Sequence, residues 1–159
     1  MTRVCLVGTE DVNLRYELVS RETARDALAT YDLREPYANT VALETISLGS
    51  AVALLNDLNW YLVRFVDHAW VLEPSVSEDE WLSRKLAAAV RDDEIAREES
   101  GRHLGVFGVL EDEEGGTRRL TEPMYVARTG PELPKYDLRE VDDTVVVRVT
   151  EDEFGGERR

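Results

Sequence analysis

The pentapeptide Tyr-Asp-Leu-Arg-Glu occurs twice in the chain, at residues 31–35 and at residues 136–140. Each copy combines a phenol, a carboxylate and a guanidinium, and the planar fork of a guanidinium suits carboxylate or phosphate groups. Two copies that meet in the fold would line a groove or a partner surface. The candidate partner or ligand surface therefore consists of Tyr31, Asp32, Arg34, Tyr136, Asp137 and Arg139.

A local structural role is the alternative for the same pentapeptide. Asp side chains bond nearby backbone amides in turns, Leu packs, and Arg pairs with Glu before the chain enters a strand. Each copy precedes a strand-like run, at residues 41–47 after the first and at 144–150 after the second. Replacing Arg34 and Arg139 with Ala would separate the two roles, because only a functional surface predicts a lost partner with an intact fold.

Motifs of known catalytic sites are missing from the sequence. Gly8 follows an apolar run but stands alone, and there is no Cys-x-x-Cys, no His-Glu-x-x-His and no Gly-x-Ser-x-Gly. Cys5 lies in an apolar run and is predicted to be packed core. Because His68 and His103 are far apart in sequence, we expect no metal centre, and we expect no cofactor.

These observations favour a non-enzymatic protein-interaction or regulatory module, with a protein partner or a second copy of the chain as its target. The alternative is a small hydrolase or transferase with an unrecognised carboxylate and tyrosine site. A deep pocket that gathers Asp32, Asp137, Tyr31 or Tyr136 would favour the enzyme. A solid core with all four side chains on the surface would favour the interaction module.

Acidic residues dominate the charge of the chain. Asp and Glu number 33 against 19 Lys and Arg, for a formal net charge of -14 over 159 residues. The carboxylates are spread along the whole sequence, and lysine occurs only at Lys85 and Lys135. At about 1 M salt the Debye length falls to roughly 3 Å, so the repulsion within such a surface is screened. The diffuse pattern predicts adaptation to molar salt rather than a local acidic site.

The sequence also bears on cellular location, on membrane spans and on nucleic-acid binding. The beginning of the sequence has no signal-peptide pattern, and the longest apolar stretch, residues 51–66, is interrupted by polar and charged side chains. We therefore expect a cytoplasmic protein with no membrane span. Arg118 and Arg119 form the one Arg–Arg doublet inside the chain, which predicts no nucleic-acid binding.

The sequence predicts an α+β fold. It is expected to form a single domain over residues 1–152, with a frayed acidic tail at 153–159. The sheet is expected to be mixed or largely antiparallel, with two to three helices. Apolar and β-branched runs predict strands at residues 3–8, 41–47 and 144–150. A hairpin is predicted over residues 103–128, with Pro123 placing its second strand near an edge or bulge.

Helices are predicted from three start signals. Ser20 is expected to cap a helix that runs to Tyr31, with a start near Asp11 as the alternative, and a second helix begins near Gly49. Residues 50–66 are either one helix or a helix followed by a hairpin over residues 60–72. The clearest signal is a capping box at residues 77–80, followed by an apolar face that begins at Trp81.

Much of the sequence resembles an uncharacterised protein family of halophilic archaea. The likeness lies in both pentapeptide copies and in residues 4–8, 13–18, 59–65, 72–75 and 120–128. The resemblance implies a high-salt source and a cytoplasmic location, and it implies no activity.

Overall fold

The computed structural model describes residues 1–111, 117–128 and 141–156. The strands are β1 (Thr2–Gly8), β2 (Thr40–Thr45), β3 (Val66–Leu72), β4 (Trp81–Ser83), β5 (His103–Leu110), β6 (Arg119–Ala127) and β7 (Asp143–Val149). The helices are α1 (Leu14–Val19), α2 (Glu22–Leu28), α3 (Leu48–Asp57), α4 (Asn59–Phe65), α5 (Arg84–Arg91) and α6 (Glu151–Gly156), with a 3-10 turn at Arg97–Glu99.

One mixed sheet of seven strands organises the described residues, in the order β2-β1-β3-β4-β7-β5-β6. The β4–β7 pair is parallel, and the other neighbouring pairs are antiparallel. The α+β class is confirmed, as are the first strand, the β5–β6 hairpin and the edge position of Pro123 in β6. The expected number of helices was too small, because the described residues form six α-helices.

Residues 50–66 form two helices rather than a helix and a hairpin. α3 ends at Asp57, α4 begins at Asn59, and Leu58 between them is buried. The helical spacing of Leu58, Tyr61 and Leu62 turns all three side chains into the core, and this burial outweighs the strand propensity of the aromatic residues. The predicted hairpin over residues 60–72 is therefore wrong, and β3 begins only at Val66.

The capping box predicted at residues 77–80 does not start a helix. Ser77 Oγ accepts hydrogen bonds from the amides of Asp79 (3.4 Å) and Glu80 (3.0 Å), which makes a turn. The next residues form the short strand β4, and Ser83 caps α5 by accepting from Leu86 N at 3.2 Å. The capping motif does not start a helix because the residues that follow it form β4, which pairs with both β3 and β7.

The helix predicted from Ser20 is also displaced. α2 begins at Glu22 with Arg21 at its N-cap position, and Ser20 is instead the C-cap residue that follows α1. α1 is capped by Asn13, whose Oδ1 accepts from Tyr16 N at 3.1 Å. The chain therefore makes a corner between two short helices where one helix was expected.

A capping box does form at Thr150 and Glu153. Thr150 Oγ1 accepts from Glu153 N at 3.1 Å, and Glu153 Oε1 accepts from Thr150 N at 3.0 Å. The pair starts α6, whose Phe154 is buried against the sheet. Residues 153–156, which the sequence assigns to the acidic tail, thus belong to α6, and residues 157–159 lie outside the described residues.

Two apolar clusters cover the two faces of the sheet. On one face the helices α1 to α5 pack over residues such as Val4, Leu6 and Val71. On the other face lie Cys5 and Trp70, together with Phe107, Val145, Val147, Val149 and Phe154. Cys5 is fully buried, which confirms its prediction as packed core.

The second face is concave. Adjacent strands lie about 4.8 Å apart, so a flat sheet would separate β3 and β5 by roughly 14 Å. The rings of Trp70 on β3 and Phe107 on β5 nevertheless approach to 4.7 Å. The segment before β2 also reaches the start of β6, where Ala38 N donates to Arg118 O at 2.7 Å. The sheet therefore curls towards closure around its second apolar cluster.

None of the helices described has the length and apolar character needed to cross a bilayer.

Candidate functional site

The first copy of the pentapeptide lies between α2 and β2. Tyr31 and Leu33 pack against the helix-side cluster, whereas Asp32 and Arg34 project outward with 83% and 79% of their side-chain surface exposed. The Asp32 and Arg34 side chains form an ion pair at 3.5 Å. The second copy, with Tyr136, Asp137 and Arg139, lies outside the described residues, so the proposed meeting of the two copies stays a prediction.

All three candidate residues of the first copy line one cavity of about 530 Å³. We call it the edge cavity, and its main lining residues are Arg3, Tyr31, Asp32, Arg34, Tyr37 and Trp81. Arg3 comes from β1 and Trp81 from β4, so the cavity joins segments that are far apart in sequence. Sequence patterns identified the pentapeptide by its repetition, but no local signal marks Arg3, Tyr37 or Trp81, which only the sheet order brings together.

A hairpin-like turn before β2 positions the pentapeptide. Arg34 N donates to Ala42 O at 2.8 Å, and Ala42 N donates to Arg34 O at 2.7 Å. Inside the turn, Thr40 Oγ1 accepts from Tyr37 N at 3.0 Å and donates to Tyr37 O at 2.7 Å. Thr40 is buried, so these bonds hold the Tyr37 ring at the cavity.

Asn39 ties this turn to the body of the protein. Its φ of 54° is left-handed, a conformation that Asn tolerates better than most residues. The side chain accepts from Leu14 N at 2.8 Å and donates to Thr9 O at 2.7 Å. A Cβ at Gly8 would lie 2.7 Å from Asn39 Nδ2, so glycine is needed for this approach. The turn is therefore anchored on both β1 and α1.

Charges at the rim of the edge cavity occur as two exposed ion pairs. Arg3 Nε lies 3.5 Å from Glu44 Oε1, and both side chains are more than half exposed. The Asp32–Arg34 pair is more exposed still. Exposed pairs of this kind contribute about 0–1 kcal/mol, so an incoming charged group can replace one member at small cost.

The Tyr37 phenol is a polar group of the edge cavity whose pKa is shifted by its surroundings. Burial raises the pKa of its phenol, and the nearby Arg118 guanidinium, 5.5 Å from the ring centre, acts in the opposite direction. The phenol therefore remains protonated at neutral pH and can donate a hydrogen bond.

The outer edge of β2 is only partly paired. Ala42 directs its backbone N–H and C=O outward to Arg34. Since backbone groups alternate along a strand, those of Glu44, two residues further on, point to the same side. Among the described residues no group forms a hydrogen bond with the backbone N–H and C=O of Glu44. Residues 30–33 run apart from β2 at this point, and the space between them is the edge cavity. An unpaired strand edge therefore lies beside the cavity.

The carboxylate and tyrosine chemistry of the alternative enzyme would need Tyr31 and Asp32 to share a hydrogen bond. The described residues contain no hydrogen bond between Tyr31 and Asp32, and Asp32 is largely in solvent. A nucleophile or general base needs a partner within hydrogen-bond reach. No group of three His, Cys, Asp or Glu side chains among the described residues is placed to hold a metal ion.

Fold and site together define a class, a small α+β protein whose curled sheet carries a cavity beside an unpaired strand edge. The chain belongs to a family of unknown function, DUF5804, which matches residues 2–109. The match includes all six residues that define the edge cavity. No curated protein matches the chain, and no solved structure matches it.

Proposed function

We propose that the protein is a non-enzymatic interaction module that binds an extended segment of a partner protein. The segment pairs with the outer edge of β2 at Glu44 and places a large side chain in the edge cavity. The observation that carries this proposal is the position of the cavity directly beside unpaired backbone groups. In strand addition, main-chain hydrogen bonds provide affinity and side-chain pockets provide specificity.

The walls of the edge cavity indicate which side chain would enter. Tyr31, Tyr37 and Trp81 present rings, and Pro36 adds apolar surface. A volume of about 530 Å³ is large enough for an aromatic side chain. The two rim ion pairs offer both signs of charge to the residues that flank it. The favoured partner is therefore a mixed-charge extended segment with a central aromatic residue.

The module is further proposed to work in a high-salt cytoplasm. Support comes from the net charge of -14 and from the placement of the carboxylates. Acidic residues at positions 10, 11, 78, 79, 92–94, 151 and 152 are exposed and lie on several elements rather than in one patch. Strand pairing and aromatic burial are far less sensitive to salt than ionic contacts, so this mode of binding suits such a solvent.

Affinity purification in molar KCl tests the binding proposal. The bait is the tagged full chain, compared with the double variant Asp32→Ala/Arg34→Ala and with a matched control, Arg91→Ala/Asp92→Ala, which removes an exposed ion pair at the end of α5. We expect the wild type and the control to retain a stoichiometric partner, and the Asp32/Arg34 variant to retain about threefold less of it, since exposed ionic contacts contribute about 0–1 kcal/mol.

Folding of each bait is checked by near-UV circular dichroism. A partner made of a second copy would show as a doubled mass in solution that the Asp32/Arg34 variant loses. Equal retention by all three baits, or a clean monomer with no partner, would overturn the proposal.

A further inference from the structure

The ladder between the first pentapeptide copy and β2 ends after a single residue pair. Arg34 and Ala42 exchange both of their backbone hydrogen bonds in an isolated antiparallel bridge. In an antiparallel ladder, the next pair that exchanges both bonds lies two residues further along each strand, in opposite directions. A continuation of this register would therefore pair Asp32 with Glu44. The backbone groups of Asp32 and Glu44 form no such bonds with each other in the structure.

Leu33 shows that the chain beside β2 is already close to a strand in its orientation. The same register places Leu33 opposite Leu43, and both side chains pack in the helix-side cluster. Asp32 and Glu44 both line the edge cavity instead. Side chains therefore alternate along residues 32–33 as a strand requires. To add one more pair to the ladder, only the backbone of Asp32 has to approach Glu44.

Charge opposes this last step. Directly opposite residues of an antiparallel pair have Cβ atoms about 4.5–5.5 Å apart, and like charges at such positions are destabilising. A pairing of Asp32 with Glu44 would place two carboxylates in that position. In the structure each carboxylate has a cation of its own, Arg34 at 3.5 Å from Asp32 and Arg3 at 3.5 Å from Glu44.

The backbone preference of Asp32 acts in the same direction. Asp is depleted in strands, because its short side chain competes with the ladder for backbone hydrogen bonds. Molar salt weakens the repulsion between the two carboxylates, since the Debye length falls to about 3 Å, but it does not remove this competition. Two properties of Asp32 thus keep its backbone away from Glu44.

We propose that Asp32 determines which segment pairs with the outer edge of β2. It keeps the chain's own residues 31–33 off that edge, where their covalent attachment would give them a high effective concentration against any partner. The place opposite Glu44 is thereby left for the partner segment. This inference rests on the proposed function and adds that the partner residue opposite Glu44 is neutral or basic, never acidic.

Hydrogen exchange of the free full chain, with no partner present, provides the test. Asp32→Lys replaces the like-charged pair by an opposite-charged one, so residues 31–33 should close onto β2. We expect the amide protection factors at positions 32 and 44 to rise together by about tenfold, because these two amides donate the two new hydrogen bonds. Asp92→Lys is the matched control, since it makes the same charge change at another exposed ion pair and should leave both amides as in the wild type.

A second variant, Asp32→Thr, removes the charge and introduces a residue that favours strands, and it should give an intermediate rise. Near-UV circular dichroism checks that each protein is folded. Glu44 exchange as fast in both Asp32 variants as in the wild type, or slowed equally by Asp92→Lys, would overturn the role of Asp32.

Partner retention separates this inference from the proposed function. An edge that is open one-tenth as often should retain about tenfold less partner in co-purification. A variant whose Glu44 amide is protected but whose partner is fully retained would support the role of Asp32 and overturn strand addition at β2.

Discussion

Cys5 shows how strongly burial defines a single side chain in this protein. The thiol is fully buried on the concave face, and burial raises its pKa to about 12. Such a thiol is neither a nucleophile nor a metal ligand at neutral pH, because both roles need the thiolate. The residue therefore contributes packing rather than chemistry.

The raised pKa of Cys5 predicts a loss of stability in alkaline solution. The unfolded thiol ionises near pH 9 while the folded thiol stays protonated up to about pH 12, so stability falls as pH rises between these values. By pH 10 this linkage amounts to about 1.4 kcal/mol. Urea unfolding at pH 8 and pH 10 should show that extra loss in the wild type and not in Cys5→Ala. Identical pH dependence in the two proteins would contradict it.

Glu80 is the centre of the most buried ionic cluster among the described residues. Its Oε2 lies 2.7 Å from Arg128 NH2, and its Oε1 lies 2.8 Å from Arg148 Nε. Arg148 also donates to Ser100 Oγ at 3.0 Å. The three charged side chains are 13–16% exposed, and in the part of the chain that the structure describes this carboxylate is the one ion-pair partner of both guanidinium groups.

Replacing the carboxylate, Glu80→Gln, is predicted to destabilise the protein by about 3 kcal/mol, because two largely buried cations lose their counter-charge. Glu17→Gln is the control, since its i,i+4 pair with Arg21 lies near the surface and contributes about 0.3–0.5 kcal/mol. Denaturant midpoints of the two variants provide the comparison. A Glu80→Gln protein no less stable than Glu17→Gln would show that the cluster is dispensable.

Residue patterns predicted part of the candidate site and missed the rest for a physical reason. Tyr31, Asp32 and Arg34 were identified because their pentapeptide repeats. Trp81 was assigned to a helix, since a local capping motif outweighed a three-residue strand in the prediction. Glu44 carried no signal at all, because its importance lies in backbone groups left unpaired by the path of a different segment.

At the scale of elements, two similar motifs have different outcomes. Ser77 and Glu80 match the capping-box pattern, as do Thr150 and Glu153, but only the second pair starts a helix. The difference lies in the tertiary contacts of the two glutamates. Glu80 is recruited by Arg128 and Arg148, whereas Glu153 remains beside Thr150 and gains a further bond from Ser83.

The capping box at Thr150 leads to a prediction about α6. Thr150→Ala should destabilise the protein by about 1 kcal/mol, the usual effect of removing an N-cap hydroxyl. Thr150→Ser keeps the hydroxyl and should restore most of that stability. Thermal unfolding of the three proteins in the same salt is the measurement. Equal melting temperatures would mean that residues 151–156 add nothing to the fold, as a frayed tail would.

At the scale of the whole molecule, sequence patterns predict where strands lie but not the order of those strands in the sheet. Strand runs and the β5–β6 hairpin followed from apolar periodicity and turn residues. Sheet order did not, because β4 joins the two halves of the sheet through only three residues. Without that order the concave face and the edge cavity were beyond sequence reasoning.

The charge of the whole molecule predicts a dependence on salt. With a formal net charge of -14, mutual repulsion should unfold or loosen the protein when KCl falls below about 0.5 M, where screening weakens. Near-UV circular dichroism and thermal melts along a KCl series report this directly. Unchanged stability in dilute buffer would contradict the proposed adaptation to molar salt.

Strand addition at β2 is the central claim, and hydrogen exchange at one backbone amide tests it most directly. In the free protein the Glu44 N–H points away from the sheet with no partner among the described residues and should exchange quickly. In the complex recovered by co-purification, we predict exchange at Glu44 slowed at least a hundredfold. Fast exchange at Glu44 in a complex that protects another surface would contradict the account.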